Sequence, residues 1–274
     1  LGLVEARVPT RFSLFVVLAG LALAGPADAV DGVIEINQAR ASAGGVTPGD
    51  TPGLPVTLSR SGSYRLTSSL LTSNRATTFV QITAPRVTLD LNGFTIGACV
   101  EAGLCATGST GIGIQASFED ETTIRNGTVT GTGNTCISIG ALARIESVQA
   151  LRCGLDGIVA GSKSLVTDTV VSDGARTGIY VARRSLVRDS IVNDNGGYGL
   201  LLFDEGTLVV NTVISGNNGA ILATAGGTAR ASGYQGCTIT ANNGALEAQA
   251  IVSEATGQIL NMGHNVCGTD TVCP

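Results

Sequence analysis

The chain of 274 residues contains no tryptophan, one methionine, one histidine and only 4% aromatic residues. So few large rings leave an interior to be filled by small, stacked aliphatic side chains. Charge is equally sparse, at 14% of residues with a net charge of -5, and Lys163 is the single lysine among sixteen basic residues. None of the arginines forms a run that could track phosphates, which disfavours nucleic acid as a partner. The lone His264 lies near only the last two cysteines, which ranks a four-ligand zinc site below disulfides. His264 reads as a surface or capping residue. Long apolar runs are missing but for one, Phe12 to Leu23, which follows Arg7 and Arg11 and precedes Ala27-Asp28-Ala29. That order is the three-part pattern of a secretory signal peptide, with residues 1–29 removed by cleavage after Ala29. The run is too short to span a bilayer comfortably, and no second one follows. The expectation is a secreted or periplasmic protein with no membrane span after cleavage.

What the chain has in quantity is glycine, 38 residues, and self-similarity. Ile124, Ile145, Val166 and Val187 stand 21 residues apart, with Val209 at 22; twelve residues after each of the first four come Cys136-Ile137, Gly157-Ile158, Gly178-Ile179 and Gly199-Leu200. A fixed period of this length marks a solenoid. Two-residue alternation without a helical stripe excludes helical repeats, and the coils are too polar for leucine-rich ones. The fold class that fits is all-β, a right-handed parallel β-helix. Residues 30–76, with the turn-rich Thr47 to Gly53, read as an irregular N-terminal capping segment, and 77–274 as the β-helix with a glycine-rich insertion at 97–113. Alternation turns Ile137, Ile139, Ile158, Ala160, Ile179, Val181, Leu200 and Leu202 inward, and Ser138, Val159, Tyr180 and Leu201 outward.

The strand Leu89-Asp90-Leu91-Asn92-Gly93-Phe94-Thr95-Ile96, the preceding Gly62-Ser63-Tyr64-Arg65-Leu66 and the recurring Gly-Ile steps resemble exported bacterial right-handed β-helix proteins of the pectate-lyase-like superfamily. The resemblance runs from about Gly62 to Cys267. It implies fold more than activity, because that superfamily holds polysaccharide lyases, glycoside hydrolases, epimerases, adhesins and members with no known activity. The hydrolase motif set is not matched: Asn211-Thr212-Val213 and Gly263-His264-Asn265 stand without the paired aspartates that inverting hydrolysis needs.

Two readings of function follow. The first is a non-catalytic carbohydrate-associated or surface-interaction scaffold with a polysaccharide or cell-surface partner, using Tyr180 as a ring that stacks on a sugar. The second is a calcium-dependent polysaccharide lyase. There the superposed coils put Asp173 beside Asp194 as candidate calcium ligands, with Arg152, Arg176 or Arg183 as the base that takes the proton next to the substrate carboxylate. Against the second stands the ordinary use of Asp and Asn to cap turns, which covers Asp168 and Asp189 as well. No cofactor is required on the first reading; calcium is required on the second.

Seven cysteines in an exported chain point to disulfides with at least one thiol left over. Cys99 with Cys105 and Cys267 with Cys273 each close a short glycine-containing loop. Cys136, Cys153 and Cys237 fall at unrelated points of the coil and read as small buried hydrophobes. Asn195, Asn217 and Asn242 precede glycine-led strands and are read as stacked turn amides that hydrogen-bond along the axis.

Overall fold

A computed structural model describes residue 2 and residues 32–98, 110–224, 231–242, 251–253, 258–268 and 273. Every strand pairing in it is parallel, and each strand pairs with its equivalent one coil away, as in Ile137 with Ile158 and Ile145 with Val166. The result is a parallel β-helix. Its first face is a sheet of nine described strands that includes Ile137–Ile139, Ile158–Ala160, Ile179–Ala182, Tyr198–Phe203 and Gly219–Thr224. The second and third faces belong to one larger sheet bent along its length. Leu165–Thr167, Leu186–Arg188 and Leu208–Val210 lie on the second; Val170–Ser172, Ile191–Asn193 and Val213–Ser215 lie on the third.

The sequence rows appear as physical rows. Ile124, Ile145, Val166, Val187 and Val209 are in register and all are 0% exposed. Ile137, Ile158, Ile179 and Leu200 form the matching row on the first face, with Ile139, Ala160, Val181 and Leu202 beside them. Tyr234 continues the second-face row below Val209, so a longer coil admits a ring where the shorter coils take valine.

Each corner turns on one residue with positive φ. Between the second and third faces these are Asn126, Ser147, Asp168, Asp189 and Asn211, with φ from 48° to 59°. After the third face they are Gly131, Arg152, Asp173, Asp194 and Gly216, and before the second face Leu142, Lys163 and Arg184. Asp and Asn tolerate this left-handed conformation best among residues with a Cβ, which accounts for their repetition at corners.

Inside the corners, polar side chains form ladders that satisfy backbone groups turned away from the sheets. Ser164 Oγ, Ser185 Oγ, Thr207 Oγ1 and Ser232 Oγ accept from the amides of Ala143, Ser164, Ser185 and Thr207 respectively, at 3.1 to 3.4 Å. At another corner the Asn195 amide group donates to Asn217 Oδ1 at 2.9 Å, and that of Asn217 to Asn242 Oδ1 at 3.0 Å. The glycines of the Gly-Ile steps stand where valine, isoleucine and the next coil's backbone close in: a Cβ on Gly157 would lie 2.2 Å from Val171 Cγ1, one on Gly178 2.5 Å from Val192 Cγ1 and one on Gly199 2.7 Å from Ile214 Cγ2, with the ladder amides of Asn195 and Asn217 adding contacts at 2.9 and 2.8 Å in the last two.

Two readings of the sequence are corrected here. First, the stack starts well inside 30–76. Ile34–Ile36 pairs with Tyr64–Leu66, and Val56–Leu58 pairs with Val80–Ile82, so this stretch already contributes coils. Two pieces of the stretch cover the open edge: a short helix, α1 (Gln38–Ala43), started by Asn37, whose Oδ1 accepts from the Arg40 amide, and the turn after it, where Asp50 Oδ1 accepts from the Thr57 amide at 2.7 Å and Thr47 Oγ1 from the Ser59 amide at 3.0 Å. Gln38 Oε1 takes the amide of Leu71 at 2.9 Å, replacing a missing strand partner, and Ala41 is buried.

Second, Cys136 and Cys153 are not separate hydrophobes; they are joined, with Cα atoms 5.5 Å apart. Cys136 stands directly before its first-face strand, where later coils have Gly178 and Gly199, and Cys153 stands one row above the positions leading to Asn195 and Asn217. The disulfide therefore fills the same corner that Gly plus Asn fills two coils on. Cys267 is bonded to Cys273, and Cys237 is a buried free thiol whose pKa burial raises. Cys99 and Cys105 lie outside the described residues, as do the proposed signal peptide and most of the 97–113 insertion. Because the Cys136–Cys153 bond closes 17 residues, nearly a whole coil, replacing both by serine is expected to cost about 3 kcal/mol. A denaturant midpoint unchanged from the parent would show that the corner is held by packing alone.

Candidate functional site

The acidic pair of the lyase reading sits on the corner row after the third face. Asp173 and Asp194 are both exposed, both have positive φ, and each is engaged by its own neighbour: Ser172 Oγ donates to Asp173 Oδ2 at 2.9 Å, and Asn193 Nδ2 to Asp194 Oδ2 at 2.6 Å. Calcium takes six to eight oxygens, whereas no group of three or more His, Cys, Asp or Glu residues among the described residues could hold a metal. Arg176 is drawn elsewhere: it makes a two-pronged ion pair with Asp156, its Nε donating to Oδ1 at 2.8 Å. This pairing raises the Arg176 pKa, chiefly through the hydrogen bond. Arg183 pairs with Asp204 at 3.8 Å and Arg184 with Glu205 at 3.1 Å along one corner, the arginines exposed and Glu205 buried. His264 is an exposed corner residue with φ 59°.

Arg152 and Asp173 do share one space. They line a recess of about 440 Å³ together with Arg75, Gly133, Gly154, Ala175 and the buried Cys153. Arg152 reaches sideways to Thr130 Oγ1 at 3.2 Å. Arg75 comes from the turn after Leu70–Thr72 and donates from Nε to the Gly131 carbonyl at 3.1 Å and from Nη2 to the Thr132 carbonyl at 2.8 Å.

Tyr180 lies on the outward row of the first face, between Val159 and Leu201. All three are half-buried. Its ring stacks on Phe203 with centroids 6.0 Å apart and planes at 25°, and Phe203 is 43% exposed. Partial burial first, and the nearby Asp156 charge second, push the Tyr180 phenol above its ordinary pKa, so it keeps its proton and can donate. Asp156 is 4% exposed, and the Thr177 amide donates to it at 3.1 Å in addition to Arg176. The outcome is a flat face carrying two stacked rings, with a fixed ion pair close to the phenol.

Asp156 and Arg75 escaped the sequence reading. Asp156 stands in a plain Asp-Gly turn, and its partner is 20 residues on, one short of the coil period, so superposed rows do not align the two. Arg75 acts across a separation of 56 residues, which no periodic signal carries.

A family profile described as the right-handed beta helix region matches residues 56–243. Comparison with solved structures finds the A-module of mannuronan C-5 epimerase AlgE4 from Azotobacter vinelandii at 12% identity. That likeness covers 86% of this chain and 89% of that one, with a TM-score of 0.35. A search of curated proteins finds no significant match. No helix among the described residues is long and apolar enough to cross a membrane.

Proposed function

Taking as premise that the chain belongs to the right-handed β-helix family, we propose that it is an exported, non-catalytic scaffold that binds carbohydrate through the first face around Tyr180. The observation that carries this is the Tyr180–Phe203 pair, set on an outward row with no carboxylate and flanked by Val159 and Leu201. An aromatic platform on a flat sheet offers the apolar face of a sugar a stacking surface, and a protonated phenol beside the Asp156–Arg176 pair adds directional hydrogen bonding. Two disulfides among the described residues support an oxidising compartment.

Tyr180→Ala is expected to weaken binding to a responsive polysaccharide about tenfold, the scale of one lost stacking contact. Asp173→Ala and Asp194→Ala should bind as the parent does, with or without calcium. A panel of acidic and neutral polysaccharides, scored for retention on affinity gels and for unsaturated products, checks all three variants at once. Calcium-dependent release of unsaturated sugars that both aspartate variants abolish would replace this reading with the lyase.

A further inference from the structure

We propose that two copies of this chain pair, antiparallel, along the ridge between the first and second faces. The ridge is built from one positive-φ residue per coil, Arg86, Glu121, Leu142, Lys163 and Arg184, all of them exposed. Each donates its amide to a carbonyl of the next coil at 2.9 to 3.1 Å, so the backbone of the row is fixed and its side chains stand one coil, ~4.8 Å, apart. Phe118, in the same turn as Glu121, is 94% exposed, the highest value among the large hydrophobic residues described, and Leu142 on the next coil is 44% exposed. An aromatic ring held this far out on a rigid corner is a natural anchor for a partner.

The order of charge along the ridge selects that partner. The turn of Phe118 carries Glu119, Asp120 and Glu121, with Arg86 at 3.9 Å from Glu121. Two and three coils on stand Lys163, Arg183 and Arg184, the two arginines paired to Asp204 and Glu205 and Lys163 in none of the described ion pairs. Taken level by level, Arg86, Glu121, Leu142, Lys163, Arg184 and Asp204 have the signs plus, minus, neutral, plus, plus, minus. A two-fold axis that crosses the stack between the Leu142 and Lys163 levels sets Glu121 of one copy against Arg184 of the other and Arg86 against Asp204. It lays Leu142 on the aliphatic stem of Lys163 and brings Phe118 opposite Arg183 and Arg184, whose guanidinium planes can cover a ring. A two-fold axis along the stack would instead set Glu121 on Glu121 and Arg184 on Arg184, so the antiparallel pairing is the one the charges favour. That axis is tangent to the ridge and leaves both first faces on the same side, where the two Tyr180–Phe203 pairs would form one surface. Six levels span only about 24 Å, which is short for a specific interface and predicts micromolar affinity.

The test is sedimentation equilibrium of the full chain up to about 1 mM protein, at about 50 mM and about 500 mM salt, with folding followed by thermal melting. The parent is expected to dimerise at low salt and to weaken at least about tenfold at high salt. Phe118→Ser and Glu121→Lys should each weaken the dimer about tenfold or more with melting unchanged, since both side chains are exposed. Adding Arg183→Glu to Glu121→Lys reverses the sign at both ends of the ridge and should restore the dimer; failure of that rescue would overturn the antiparallel register. A parent that stays monomeric throughout, or a dimer that Phe118→Ser and Glu121→Lys both leave intact, would overturn the interface. So would a dimer lost in Tyr180→Ala, which would place the contact on the first face. Retention of monomeric Phe118→Ser on the polysaccharide gels keeps the glycan-binding reading separate, because its Tyr180 is untouched.

Discussion

Val187→Asp is expected to remove about 4 kcal/mol or more of stability, a large part of the 5–15 kcal/mol that holds a domain of ordinary size. Val187 is 0% exposed and is packed in register between Val166 and Val209, both also 0% exposed. A carboxylate there would meet aliphatic side chains above, below and across the narrow interior, without a cation or donor to compensate. Because each coil touches mainly its neighbours, the damage should be graded along the axis. Amide exchange should accelerate first in Leu165–Thr167 and Leu208–Val210, the strands paired to Leu186–Arg188, and least near Ile34–Ile36. The adjacent Arg188 supplies the control. It points outward with a side chain 46% exposed and a surface ion pair to Asp189, so Arg188→Ala should stay within about 0.5 kcal/mol of the parent. A denaturant midpoint for Val187→Asp near that of Arg188→Ala would contradict the buried row.

The contrast between positions 187 and 188 shows which parts of the fold the sequence carries openly. Inward rows repeat because coils 21 or 22 residues long place identical demands on each side chain, so period and alternation together give both faces of a strand. The first coils lack that regularity. Ile34 pairs with Tyr64, Tyr64 with Leu89 and Leu89 with Ile124, steps of 30, 25 and 35 residues, and a period that varies this much hides a stack from superposition. The disulfide was hidden for a different reason. Cys136 and Cys153 meet across a corner inside one coil, whereas superposed rows compare positions one coil apart. The same limit applies to the candidate site. Tyr180 was legible as an outward residue on a regular strand; its stacking partner Phe203 and its charged neighbour Asp156 sit off its row, diagonal to the repeat. Asp173 and Arg152 were legible as a row, but the separation of Arg176 from them follows from a side chain reaching toward Asp156, which backbone periodicity does not encode.

The asparagine ladder supplies the second large effect, and one whose sign depends on pH. Asn217 is 1% exposed and uses both halves of its amide. Its Oδ1 accepts from the Asn195 backbone amide at 3.0 Å and from Asn195 Nδ2 at 2.9 Å, while its own Nδ2 donates to the Val192 carbonyl, the Ser215 carbonyl and Asn242 Oδ1, each at 3.0 Å. Asn217→Asp keeps the shape and the acceptor but turns the donor into an oxygen facing three other oxygens. Burial and those acceptors both disfavour the charged form, so the folded-state pKa of the introduced carboxyl rises above its unfolded value of about 3.9. The neutral acid, which can still donate one hydrogen bond, is tolerated below that pH. As pH climbs from about 4 through the raised folded pKa, the unfolded state sheds its proton first, and the variant loses about 1.4 kcal/mol for each unit. The gap from the parent should therefore be small at pH 4 and about 3 kcal/mol or more at pH 8. Asn217→Ala removes the same donor without adding a charge, so its deficit should hardly vary over that range. Denaturant melts of parent and both variants at pH 4 and pH 8 decide the point: an Asn217→Asp deficit as flat as that of Asn217→Ala would mean that the corner admits water or rearranges, and that the ladder does not close the interior.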